Sequence, residues 1–179
     1  QPEVRPFITN LVTSVAANAR YAVIFRKPRS PLPLLSGLAE ARVNVAARKV
    51  KGEREALCEF TTETLRTAAF FAGFTNREHD DDLAGWAKNF ATAAARGRLL
   101  VGDDERRVAE DAPSYLDVAG ANAVLEALIN ANRREDATAW LDAMARDGPA
   151  PRASTYNVRV RELVRRQAHP EEVELVVTD

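Results

Sequence analysis

Cysteine is nearly missing from this chain. Cys58 is the only one in 179 residues, so no internal disulfide can form and a small secreted scaffold stapled by bridges is excluded. Long apolar runs are missing too, because Arg20, Arg26 and the following prolines interrupt the best candidate, and no membrane span is expected. The eight glycines are scattered singly, which leaves no phosphate-binding loop, dinucleotide fingerprint or nucleophile elbow. Aromatic residues are only 7% of the chain, too few for a β-rich protein to be the first expectation. What is abundant is alanine, at 32 residues, within a hydrophobic share of 46% against 28% charged. That balance suits helices packed through small side chains, so the fold class expected is all-α.

A net charge of -1 conceals two unlike parts: residues 1–51 carry +7 and residues 52–179 carry -8. Of 25 basic residues, 21 are arginine. An arginine-rich, acid-poor start beginning at Gln1 reads either as a mature sequence behind a removed transit peptide or as a start lacking its first residues with the arginine skew of GC-rich coding, and the first reading makes a mitochondrial location the expectation.

Along the chain, Pro6 opens a helical periodicity through Ile8, Leu11, Val15, Ala19 and Val23 to about Phe25. The stretch Lys27 to Pro33 holds three prolines and cannot continue it, so it becomes a stiff basic connector. A second helix is expected from Leu34 to about Arg48, and a third from about Glu53 to Ala72, carrying Leu57, Phe60, Leu65, Ala68 and Phe71, with Gly73 as its stop. Asp80, Asp81 and Asp82 read as the N-cap and first turn of a fourth, with Leu83, Trp86, Ala87, Phe90 and Ala94 on one face and Gly97 at its end. A short helical segment around Asp104 to Glu110 follows, before Pro113.

The C-terminal third repeats itself. Asn122 and Asn157 stand 35 residues apart. In the first unit Ala121, Val124, Leu125, Leu128 and Ile129 form one stripe, Asn132, Arg133 and Arg134 make a polar turn, and Ala137, Trp140, Leu141 and Met144 form a second stripe. Gly148, Pro149 and Pro151 close the unit, and Tyr156, Val160, Leu163 and Val164 begin the next stripe. These landmarks, Asn122, Ala137, Met144, Gly148, Pro151, Thr155, Tyr156 and Asn157, resemble the pentatricopeptide repeat (PPR) family, whose unit is a 35-residue antiparallel helix pair. Glu172 departs from it, standing where the small residue equivalent to Ala137 is expected.

The resemblance implies one helical-repeat domain over residues 1–179, a short PPR-like α-solenoid of stacked antiparallel hairpins with about seven to nine helices. Residues 1–51 would form basic N-terminal helices around the connector 27–33, residues 52–117 degenerate hairpins, residues 118–152 a full unit and residues 153–179 a truncated one. Arrays of this family commonly read RNA, and the matching positions here are Asn122 and Asn157 with the residue that ends each unit. Arg152 holds that ending position, where readers carry Asp, Asn or Ser, and the repeat-bearing half is acidic, so RNA is the weaker expectation. The plainer reading of Asn122 and Asn157 is helix capping.

The expected role is therefore non-catalytic and without cofactor. Consecutive His79, Asp80, Asp81 and Asp82 point in different directions and lack a further nitrogen or sulfur ligand at metal spacing. Cys58 lies in an apolar helix, far in sequence from His169. Trp86 and Trp140 belong to core stripes. Among small PPR-like proteins the chain is similar to accessory subunits that decorate the F1 head of mitochondrial ATP synthase in euglenozoans. That likeness implies protein subunits of a larger complex as partners, the ATP synthase alpha subunit first, with an organellar RNA-associated protein such as a mitoribosomal subunit as the alternative. Candidate partner contacts are Lys27, Arg29, Arg133, Arg134, Arg165 and Arg166, read as a surface for an acidic partner or as solvated charge near helix ends.

Overall fold

A computed structural model describes residues 35–40, 42, 54–72, 77–101, 104–108 and 112–165. Residues 35–40 and 42 are helical, and the labelled elements that follow are α1 (Arg54–Ala72), α2 (Arg77–Ala95), β1 (Arg98–Val101), β2 (Asp104–Arg107), α3 (Val118–Asn130), α4 (Arg134–Asp147) and α5 (Ala153–Arg165). The described chain is mostly helical, with six helices and one two-stranded sheet. The expected first helix and the connector 27–33 lie outside the described residues, as do Gly73, His169 and Glu172.

α3 is the hub. Gly120, Ala121, Ala123, Val124, Leu125, Ala127, Leu128 and Ile129 are all buried, leaving only the stripe of Asn122, Glu126 and Asn130 polar and half-buried, a breadth of apolar surface that a helix tolerates when neighbours cover most of it. It packs against α1, α2, α4 and α5. Small residues set how closely those neighbours come: a Cβ on Gly120 would sit 3.3 Å from Thr62 Oγ1 of α1. α1 buries four threonines, Thr61, Thr62, Thr64 and Thr67, beside Leu57, Phe60, Leu65 and Phe71. α2 contributes Trp86 stacked on Phe90, with ring centroids 4.9 Å apart, and Phe60 meets Phe90 edge-on at 6.5 Å.

Pairings between helices rise together along the sequence. Thr62 bonds Asp117 and Ala69 bonds Asn130, while Asn122 bonds Ser154 and Glu126 bonds Arg161. α1, α3 and α5 therefore run in the same direction, and α3 and α5 begin 35 residues apart. α2 and α4 are joined by Lys88 Nζ and Asp136 Oδ1 at 2.8 Å.

Three expectations change. The segment from Asp104 is a strand, not a helix: Arg98↔Arg107, Leu99↔Arg106, Leu100↔Glu105 and Val101↔Asp104 pair antiparallel. Leu99 and Leu100 are buried, anchoring β1 against α2, while β2 is exposed throughout. Gly97, at φ 70°, permits the change of course, since a Cβ there would lie 2.2 Å from the Ala112 carbonyl oxygen. Secondly, α2 begins at Arg77, so Asp80, Asp81 and Asp82 fall inside the helix and do not cap it. Thirdly, the buried stripe of α5 is Thr155, Val158, Glu162 and Leu163, whereas Tyr156 and Val160 are half-buried and Val164 is 64% exposed.

Candidate functional site

The loop of residues 112–117 positions the site. Tyr115 N–H donates to the Ala94 carbonyl at 2.8 Å, a second donor beside Gly97 N–H at 3.0 Å, which ties the loop to the end of α2. Asp117 then caps α3, its Oδ1 accepting from Gly120 N at 2.6 Å and from Thr62 Oγ1 at 2.8 Å. The same carboxylate starts one helix and ties it to another. The equivalent position before α5 is Arg152, which cannot cap with its side chain; its backbone N–H donates to Thr155 Oγ1 at 3.1 Å instead. Asn122 and Asn157, expected as caps, lie inside α3 and α5, so the capping reading is replaced.

Side by side, α1, α3 and α5 border a groove. One part, of about 540 Å³, is lined by residues including Arg66, Asp117, Asn122, Glu126, Arg152 and Arg161. A second, of about 660 Å³, shares Arg66, Glu126, Val158 and Arg161 and continues past Phe70, Asn130 and Arg165. Its charges are mixed and largely paired. Arg66 Nη1 bonds Glu63 at 2.6 Å, Arg161 Nη2 bonds Glu126 at 2.9 Å, and Arg159 Nη1 bonds the buried Glu162 at 2.8 Å. Burying Glu162 is tolerated because its charge has a partner. Among the described residues no ion pair engages Arg152 or Arg165. Asn122 Nδ2 donates to Ser154 Oγ at 3.1 Å, and its Oδ1 is buried without a hydrogen-bond partner. The groove thus offers two guanidiniums that no ion pair engages among the described residues, beside apolar side chains such as Val158 and Phe70.

The predicted residues separate into groups. Asn122 lines the first part of the groove and Arg165 the second. Ala137 and Met144 are buried on α4, Gly148 ends α4 with its N–H on the Met144 carbonyl, and Thr155 is buried on α5. Pro151 and Tyr156 are half-buried and Asn157 is exposed. Arg133 and Arg134 stand at the start of α4, outside the groove, where the helix dipole disfavours positive charge. Arg133 is held by Asp136, at 2.6 Å from Nη2. Lys27, Arg29 and Arg166 lie outside the described residues. Sequence reasoning missed Arg66, Glu126 and Arg161; the last two stand one 35-residue period apart, so the repeat itself carried a signal for them.

Away from the groove, hydrogen bonds from Lys88 and Arg133 hold the Asp136 carboxyl below the usual aspartate range. Cys58 is half-buried, and desolvation pushes its thiol up, which makes it a weak nucleophile at neutral pH. Among the described residues no three His, Cys, Asp or Glu side chains gather as a metal group, and no helix is long and apolar enough to cross a membrane.

No protein-family model matches the chain, and neither a curated protein nor a solved structure shows significant similarity to it.

Proposed function

We propose that this chain is a non-catalytic, PPR-like accessory subunit that holds a polypeptide of a larger mitochondrial complex, with the F1 head of ATP synthase and its alpha subunit as the favoured partner. Supporting the repeat reading are the period of 35 residues between the starts of α3 and α5 and the common direction of α1, α3 and α5. In this reading α1, α3 and α5 form one layer of a short solenoid and α2 and α4 the other, with the β-hairpin lengthening the first interval.

The observation that carries the choice of a protein partner is the pairing of two of the groove's four arginines, Arg66 and Arg161, with the chain's own carboxylates, which interrupts the positive charge along it. A phosphate-tracking surface needs uncommitted positive charge along its length. Here Glu126 and Glu63 already neutralise Arg161 and Arg66, and a lining that mixes apolar with paired polar side chains suits an extended peptide. The second reading, an organellar RNA-associated protein such as a mitoribosomal subunit, is favoured by Asn122 and Arg152 facing the same groove.

The two are separated by native purification with mass spectrometry of co-eluting subunits, before and after RNase. Co-elution with rotary ATPase subunits that survives RNase supports the proposal. Recovery of ribosomal RNA, or loss of the partners after RNase, sinks it.

A further inference from the structure

We propose that Glu126 sets which class of ligand the groove accepts: its carboxylate cancels the charge of Arg161 where the two parts of the groove join, and so turns away single-stranded nucleic acid. This deepens the reading of the groove as a polypeptide-binding surface and rests on it.

The position of Glu126 carries the first half of the argument. Among the charged residues of the lining, Arg66, Glu126 and Arg161 border both parts of the groove, whereas Arg152 borders the first and Arg165 the second. Glu126 is the carboxylate common to both parts, so a chain laid from one part into the other passes it.

The second half is that stability does not account for its charge. The other carboxylates of the lining serve the fold: Asp117 caps α3 through Gly120 N and accepts from Thr62 Oγ1, and the buried Glu162 neutralises Arg159. Glu126 instead meets Arg161 Nη2 at 2.9 Å, with the two side chains 40% and 70% exposed. An ion pair so open to water contributes little to stability. Arg161 is also held from its own helix, its Nε donating to the Asn157 carbonyl oxygen at 3.4 Å. What the pair changes is the local field. With Glu126 uncharged, no ion pair among the described residues would engage Arg152, Arg161 or Arg165 along α5. Such a run of open positive charge is what a phosphate backbone requires. With Glu126 charged, the run is broken between its ends, while a polypeptide that binds by hydrogen bonds and apolar contact loses nothing.

The test measures binding of fluorescein-labelled oligouridine to the full chain by anisotropy, across a salt series. Glu126→Gln keeps the shape of the side chain and an oxygen for Arg161 Nη2 and removes the charge. It should bind oligouridine about fivefold or more tightly than the parent at low salt, with a steeper fall as salt rises, because one further phosphate contact becomes available. Adding Arg161→Gln should abolish the gain. Glu135→Gln, an equal change of net charge at an exposed position of α4 outside the groove, should bind as the parent does. Thermal unfolding should be closely similar in all four proteins. Weak binding by both the parent and Glu126→Gln overturns the assignment of Glu126 and leaves the polypeptide reading standing. A gain equalled by Glu135→Gln, or one that survives Arg161→Gln, also overturns it, since net charge alone or another site would then be responsible. Tight, steeply salt-dependent binding by the parent overturns the polypeptide reading itself, and the assignment with it.

Discussion

Two tryptophans show how much a single polar atom decides. Trp140 Nε1 donates to the Ala121 carbonyl at 3.0 Å, locking α4 onto α3, while Trp86 Nε1 is buried with no hydrogen-bond partner. Replacing either by phenylalanine removes similar volume, so the difference isolates the bond. Trp140→Phe should cost about 1 kcal/mol more than Trp86→Phe in urea unfolding. Asp117 carries two bonds at once, and Asp117→Ala should lower stability by roughly 1–2 kcal/mol, since an N-cap and a tie to Thr62 go together. Restoring the cap with Asn should recover part of that loss. Asp136 gives the pH dependence. Its folded-state pKa is depressed, so its contribution is present above the ordinary aspartate range and fades as pH falls through the lower folded value. With the side chain 31% exposed, water screens the pair, and Asp136→Asn should cost about 0.5–1 kcal/mol near neutrality. That cost should shrink in unfolding measured at progressively lower pH.

Elements were legible to different depths. The stripes of α3 and α4, and the Gly148 stop, could be read from spacing because i, i+3 and i+4 neighbours and a terminal glycine act locally. The β-hairpin could not. Asp104, Glu105, Arg106 and Arg107 have no strand preference, and they pair because Leu99 and Leu100 of the partner strand are held buried against α2. Gly97 is the local device that allows it. Gly97→Ala should destabilise by roughly 1–3 kcal/mol from the left-handed backbone alone, with the contact at the Ala112 carbonyl adding to it. Hydrogen exchange should show the loss concentrated in β1 and the end of α2. In α5 the stripe was misread for a related reason: Glu162 is buried because Arg159 pairs with it, and Val164 faces outward. Counting apolar residues cannot find a stripe that includes a paired carboxylate.

Across the whole molecule, α3 connects the four other labelled helices. Leu125 and Leu128 are fully buried in a helix that touches four others, so Leu128→Ala should cost about 2–5 kcal/mol. The loss should appear as one cooperative transition in calorimetry, because α1, α2, α4 and α5 all lose packing when α3 is disturbed.

The period of 35 residues, the helix stops and the lack of bridging cysteines were fixed in the linear order of residues, since each depends on neighbours a few positions away or on simple count. The groove was not. Arg66, Glu126 and Arg161 become one surface only because α1, α3 and α5 run in the same direction and lie against each other. The face of the hairpin that brings Arg98, Glu105 and Arg107 together likewise exists only through strand register. Charges far apart along the chain acquire a common field when packing brings them within a few ångströms, and that step belongs to the tertiary structure.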